Sequence, residues 1–266
     1  MATYEVSVPM VLDHGHNQHN EIKLEFHFEQ RLPPSELVTG ALGPAATPQI
    51  TGALPQLPYQ IGLKLMTLAA EPVGIEEATR AGAVPRQMYD LDGLCAALMQ
   101  EDWAPLCAYA RDRYQYECGL ADVSVTSGEP FDGIRARLER WADCLDEDAE
   151  PWLTIRSAQQ SGLQRAVHLK AWGWRARAHR LIVATEALRR GPDAWPAWEK
   201  ATTLAGMIPT TRAKRFRPPL AELSGIAAGD LPLELHDLIW TVLDPGPSAD
   251  MNAHLARVEQ LLQTVS

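Results

Sequence analysis

The chain has 266 residues, 46% of them hydrophobic, and a net charge of -10, which is enough apolar material for a sizeable core. No apolar run approaches the roughly 20 residues of a membrane helix, and Met1-Ala2-Thr3-Tyr4-Glu5 lacks the basic-then-apolar pattern of a secretory leader. These features argue against a membrane-spanning protein and set the expected location in the cytoplasm.

Tyr4 to Leu12 is rich in valine and alternates, as a half-buried strand does. A polar turn, Asp13 to Asn20, leads to a returning strand over Glu21 to Phe28. There Ile22, Leu24, Phe26 and Phe28 share one face, while Lys23, Glu25 and His27 share the other. Residues 31–58 are rich in Pro, Gly, Ala and Thr and predict at most a short strand near Gln49 to Thr51. A two-stranded hairpin leaves edges unpaired. Completion by a partner, a second copy or the strand near 49–51 is therefore expected.

From Tyr59 onward the pattern is helical. Helices are predicted over 59–70, 74–81, 87–100, 103–120, 130–146, 157–190, 193–206, 231–243 and 250–264, punctuated by Pro72, Gly74, Pro85, Pro130, Gly191-Pro192 and Asp244-Pro245-Gly246-Pro247. The fold class expected is α+β, a small sheet packed on a large helical body, with domains over 1–147 and 148–266. Cys95, Cys107, Cys118 and Cys144 fall inside helical patterns without a Cys-x-x-Cys pair, which suits small buried hydrophobes in a reducing compartment.

Charge is unevenly spread. Pro151 to Arg217 holds 13 Lys+Arg and 3 Asp+Glu, a balance of +10, leaving 11 basic and 31 acidic residues elsewhere. Such a segment either faces a polyanion or pairs with the acidic half of its own chain. Within the predicted 157–190 helix, Arg165, His168, Trp172, Arg175 and His179 recur at alternating three- and four-residue intervals on one face. Cations around an aromatic suit a phosphate backbone and a stacked base. Arg212, Lys214, Arg215 and Arg217 extend the candidate nucleic-acid patch. His14, His16, His19 and His27 offer a second, weaker constellation. With only Asp13 as a nearby carboxylate, a solvated hairpin tip is expected over a zinc site.

Three further residues stand out by their order. Glu25 lies on the returning strand. Lys64, one of five lysines in the chain, sits among Ile61, Leu63, Leu65, Met66 and Leu68. Asp90 lies in the first turns of the 87–100 helix. Taken singly, each has an ordinary reading: an open-face sheet residue, a snorkelling lysine and a first-turn carboxylate. Together, strand carboxylate, lysine helix and Tyr-Asp helix suit metal-assisted nucleotidyl transfer. The carboxylate would hold a divalent cation, the lysine would neutralise phosphate charge and the aspartate would orient the lysine or the accepting group.

That order resembles the AbiEii/AbiGii-type nucleotidyltransferases, toxins of bacterial toxin–antitoxin and abortive-infection systems. Leu24-Glu25-Phe26 resembles the strand of the third metal carboxylate, and Leu57 to Ala70 the lysine helix, with Lys64 at the lysine. Arg86-Gln87-Met88-Tyr89-Asp90-Leu91 resembles the last motif, and Phe131 to Asp146 the closing helix. The resemblance covers about residues 4–145. It implies Glu25, Lys64 and Asp90 as catalytic residues converging on one cleft, with Glu25 as metal ligand. It further implies Mg2+, a nucleoside triphosphate substrate, an RNA acceptor such as tRNA and a cognate antitoxin. Two departures matter. The Gly-Ser and Asp-x-Asp motifs of the family are not found in this sequence, and Gln87 stands where the family has an aspartate. One carboxylate of three cannot assemble a two-metal clamp. A partner chain supplying the Asp-x-Asp half is therefore expected for activity. The alternative is a non-catalytic, degenerate transferase fold that binds or regulates.

Overall fold

The computed structural model describes residues 2–9, 19–26, 34–40, 50–123, 130–161, 169–208, 214–247 and 249–264. The chain divides into two compact units, Met1–Gln56 and Leu57–Ser266, so the expected boundary after residue 147 runs inside the larger unit.

The described residues of the first unit mostly form strands. β1 (Ala2–Pro9) pairs antiparallel with β2 (His19–Phe26), with Thr3 opposite Glu25 and Val6 opposite Ile22. β3 (Ser35–Gly40) pairs antiparallel with β4 (Ile50–Pro55), with Leu37 opposite Ala53. These form two separate two-stranded sheets. The strand near 49–51 thus exists, but it closes a hairpin of its own and does not extend β1–β2. β3 was not foreseen, because Ser-Glu-Leu-Val-Thr-Gly is short and follows Pro33-Pro34.

The second unit is helical throughout its described residues. Its elements are α1 (Leu57–Thr67), α2 (Glu77–Arg80), α3 (Ala83–Cys95), α4 (Gln100–Leu120), α5 (Pro130–Ala142), α6 (Glu150–Ser161), α7 (Ala171–Arg190), α8 (Trp195–Met207), α9 (Arg217–Ser224), α10 (His236–Leu243) and α11 (Met251–Gln263). The described residues are thus mostly helical with two small sheets, an α+β composition. Several boundaries follow simple rules. Pro85 does not break α3, because the first turn needs no intrahelical N–H donor. The Asp250 side chain accepts the Asn252 and Ala253 N–H groups and starts α11.

α7 is the central element. Every residue from Leu181 to Leu188 is buried, and the helix packs against α3, α5, α8 and α10. Most of that stretch is apolar, so enclosure on every side suits it. It ends at Gly191, whose φ of 98° is open only to glycine, and the Gly191 carbonyl accepts the Trp103 indole N–H at 3.2 Å. Trp103, Trp195, Trp198 and Trp240 continue the core, with ring centroids 5.7–6.3 Å apart. Among the described residues no helix is long and apolar enough to cross a membrane.

Candidate functional site

Lys64 is placed by the packing of α1. Ile61, Leu65 and Leu68 point into the core, and Gly62 lies so close to α4 that a Cβ there would fall 2.6 Å from the Tyr109 ring. The helix therefore sits flush on α4 and presents Lys64 toward α3. The Lys64 ammonium donates to the Asp90 carboxylate at 2.7 Å and to the Gln87 side-chain oxygen at 3.2 Å. Lys64 and Asp90 remain 32% and 47% exposed, so the pair is open to a ligand. Tyr89, between them in sequence, turns the other way. Its ring meets Trp174 at 6.4 Å and lies under the Arg177 guanidinium at 5.5 Å. Glu25 lies on β2 of the first unit, and its side chain is outside the described residues.

The basic face does not form as the spacing predicts. The expected 157–190 helix is two helices, since Leu169 and Lys170 are non-helical and Lys170 caps α7 with an extended backbone. Arg165, His168 and Arg212 lie outside the described residues. Trp172 is half-buried against the core. Arg175 crosses its ring at 5.9 Å and donates to the Ala142 carbonyl at 3.1 Å. Burial holds that guanidinium below its ordinary range, against the opposing pull of Cys144 and Asp143. His179 is buried, with Nδ1 3.3 Å from Asp244. Lys214 and Arg215 are exposed, Arg215 lying over the Phe216 ring at 5.2 Å.

Many of the segment's cations are engaged inside the protein. Arg180 and Arg177 pair with buried Asp92 on α3, and Arg189 and Arg190 with buried Glu186. Arg217 donates to the Ala228 and Pro232 carbonyls, and Lys200 pairs with Glu259. Asp92 and Glu186 are the ion-pair partners missed by the sequence reading. Glu186 carried a local signal, since arginines three and four residues later share its face. Asp92 carried none, because its partners are 85 and 88 residues away in sequence.

A second ionic cluster joins α5, α7 and the end of α10. Asp244 accepts from Arg135 at 2.8 Å and from the Gly246 N–H at 3.0 Å, and it faces His179. Burial raises the Asp244 carboxyl, but the His179 and Arg135 hydrogen bonds, the Arg135 charge and the Gly246 N–H carry it down to about 2. A depressed folded-state value favours the ionised, folded form. This contribution is complete above the unfolded value of 3.8 and is lost as pH falls toward 2. The shift corresponds to about 2 kcal/mol. The stability gap between wild type and Asp244→Asn should shrink by that amount between pH 5 and pH 2 in urea titrations. An unchanged gap would rule out this ionic contribution.

The four cysteines are buried and unpaired. Burial pushes Cys95 up to about 12 and Cys107 and Cys144 to about 11, so these three stay protonated at neutral pH. Among the described residues no three His, Cys, Asp or Glu side chains converge as a metal site, and His14, His16 and His27 lie outside them. Asp90 is committed to Lys64, and Gln87 supplies a neutral amide. The described donors therefore do not fit a Mg2+ clamp. No protein-family model, curated protein or solved structure matches this chain.

Proposed function

We propose that the chain is a nucleotidyltransferase-like toxin or toxin subunit of a toxin–antitoxin or abortive-infection system, held in check by a cognate antitoxin. Lys64, oriented by Asp90, neutralises the phosphates of a nucleoside triphosphate. Transfer to an RNA acceptor, with tRNA the favoured class, requires a partner chain that supplies the missing metal carboxylates. The observation that carries this reading is the meeting of Lys64 with Asp90 at 2.7 Å and Gln87 at 3.2 Å, from two helices in the family-like order. The pair is partly solvated, so its loss costs the fold at most about 1 kcal/mol and leaves a clean functional probe.

Calorimetric titration with ATP and Mg2+ tests the reading. Wild type is expected to bind, and Lys64→Ala to bind about tenfold or more weakly, since a charge-assisted contact to phosphate is lost. Equal affinities would remove Lys64 from the site. Incubating the isolated chain with labelled triphosphates and total RNA should give no transfer. Robust labelling without a partner would overturn the incomplete-site account. A second reading, a non-catalytic binding or regulatory protein, is favoured by the Gln87 amide at the carboxylate position. It forecasts partner binding unaffected by Lys64→Ala.

A further inference from the structure

Between α6 and the entry to α7 lies an open groove of about 630 Å³, lined by Trp152, Arg156, Gln159, Lys170, Trp172 and Glu147. Trp152, Arg156 and Gln159 follow one another at four and three residues, so α6 presents them on one face. Buried Gln159 accepts the Leu169 N–H at 2.8 Å, which fixes the start of α7 against α6. Both tryptophans are half-buried and packed on the core, so their rings are held in place while part of each stays accessible. Arg156 and Lys170 are exposed cations, and Glu147 is an exposed carboxylate. Asp146, Asp148 and Glu150, close to Glu147 in the chain, are also exposed.

We infer that this groove binds one nucleotide unit, either a free nucleoside monophosphate or the terminal nucleotide of a single-stranded RNA. The base stacks on a tryptophan ring, an association open to any base because each has a π-face. Arg156 and Lys170 take the phosphate, the arginine through its planar fork and the lysine as a point charge. Glu147 in the lining disfavours a second phosphate inside the groove, so occupancy is a single unit. This assignment rests on the transferase reading only in the choice between free nucleotide and RNA end, where the acceptor end becomes the natural occupant.

Calorimetry on the full chain with AMP, UMP and a single-stranded pentaribonucleotide is the test. Saturable binding is expected, weakened about tenfold or more by Trp152→Ala and by the double reversal Arg156→Glu/Lys170→Glu. Trp152→Phe should retain it. The reversed residues are exposed, so melting curves should be unchanged even where Trp152→Ala loses stability. Lys64→Ala should leave groove binding intact, which separates failure here from failure of the triphosphate site. A pentanucleotide tighter than AMP, with a salt slope near one phosphate (about -0.7), identifies the RNA end. A pentanucleotide no tighter than AMP identifies the free nucleotide. No saturable binding, binding indifferent to the double reversal, or a slope of several phosphates would overturn the proposal.

Discussion

Arg175→Glu is expected to cost about 3 kcal/mol or more, whereas Arg215→Glu should stay within about 0.5 kcal/mol. Both sit in the basic segment, and from sequence they look alike. In the folded chain Arg175 is partly buried, crosses Trp172 and donates to the Ala142 carbonyl. A glutamate there places a carboxylate beside that carbonyl and near Asp143, with no donor to satisfy it. Arg215 stands in water over Phe216. For a domain of this size the first change should lower Tm by about 6–12 °C and the second by almost nothing. Thermal melts of the two variants decide the matter. Equal, small shifts would mean that Arg175 is a free surface cation and would restore it to a nucleic-acid face.

The comparison shows what a helical spacing can and cannot establish. Positions three and four apart share a face only while the helix continues, and the extended backbone at Lys170 ends that condition between His168 and Trp172. Nothing in a single sequence tells an arginine that serves phosphate from one that serves a buried aspartate. Arg177 and Arg180 fall to Asp92 through tertiary packing alone. The core was easier to foresee. The apolar pattern of α1, α7 and α11 buries Leu65, Leu188 and Leu255 as periodicity requires. α9 was missed because Arg217-Pro218-Pro219 looks like loop. Yet those prolines occupy its first turn, where the ring's fixed φ favours helix. The Lys64–Asp90 contact was legible through the family-like order of its elements, whereas Gln87 as a second acceptor for Lys64 emerged only from the packing of α1 on α3.

Asp90 and Asp92 lie two residues apart on α3, and opposite roles are expected of them. Asp92 is 4% exposed and gathers Arg180 at 2.5 and 2.7 Å and Arg177 at 3.3 Å. Those arginines also lie over Trp240 and Tyr89, so one carboxylate ties α3 to α7 and to the aromatic core. Burial raises its carboxyl above the ordinary range while both arginines pull it back, the mark of a charge that would be costly without partners. Asp92→Ala takes the countercharge from Arg180 and leaves Arg177 to Asp237. The expected loss is about 3 kcal/mol, the low end for a broken buried pair because both arginines keep partial solvent access. Asp90→Ala removes a half-solvated partner and should cost no more than about 1 kcal/mol. The functional order reverses. Asp90→Ala frees the Lys64 ammonium from its orienting oxygen and should weaken ATP binding directly. Asp92→Ala should weaken it only as far as α3 loosens, so stabilising osmolytes should restore binding in Asp92→Ala and not in Asp90→Ala. Paired melting curves and ATP titrations of the two variants measure both effects. An Asp92→Ala protein as stable as wild type would show that α3 is held by its apolar face alone.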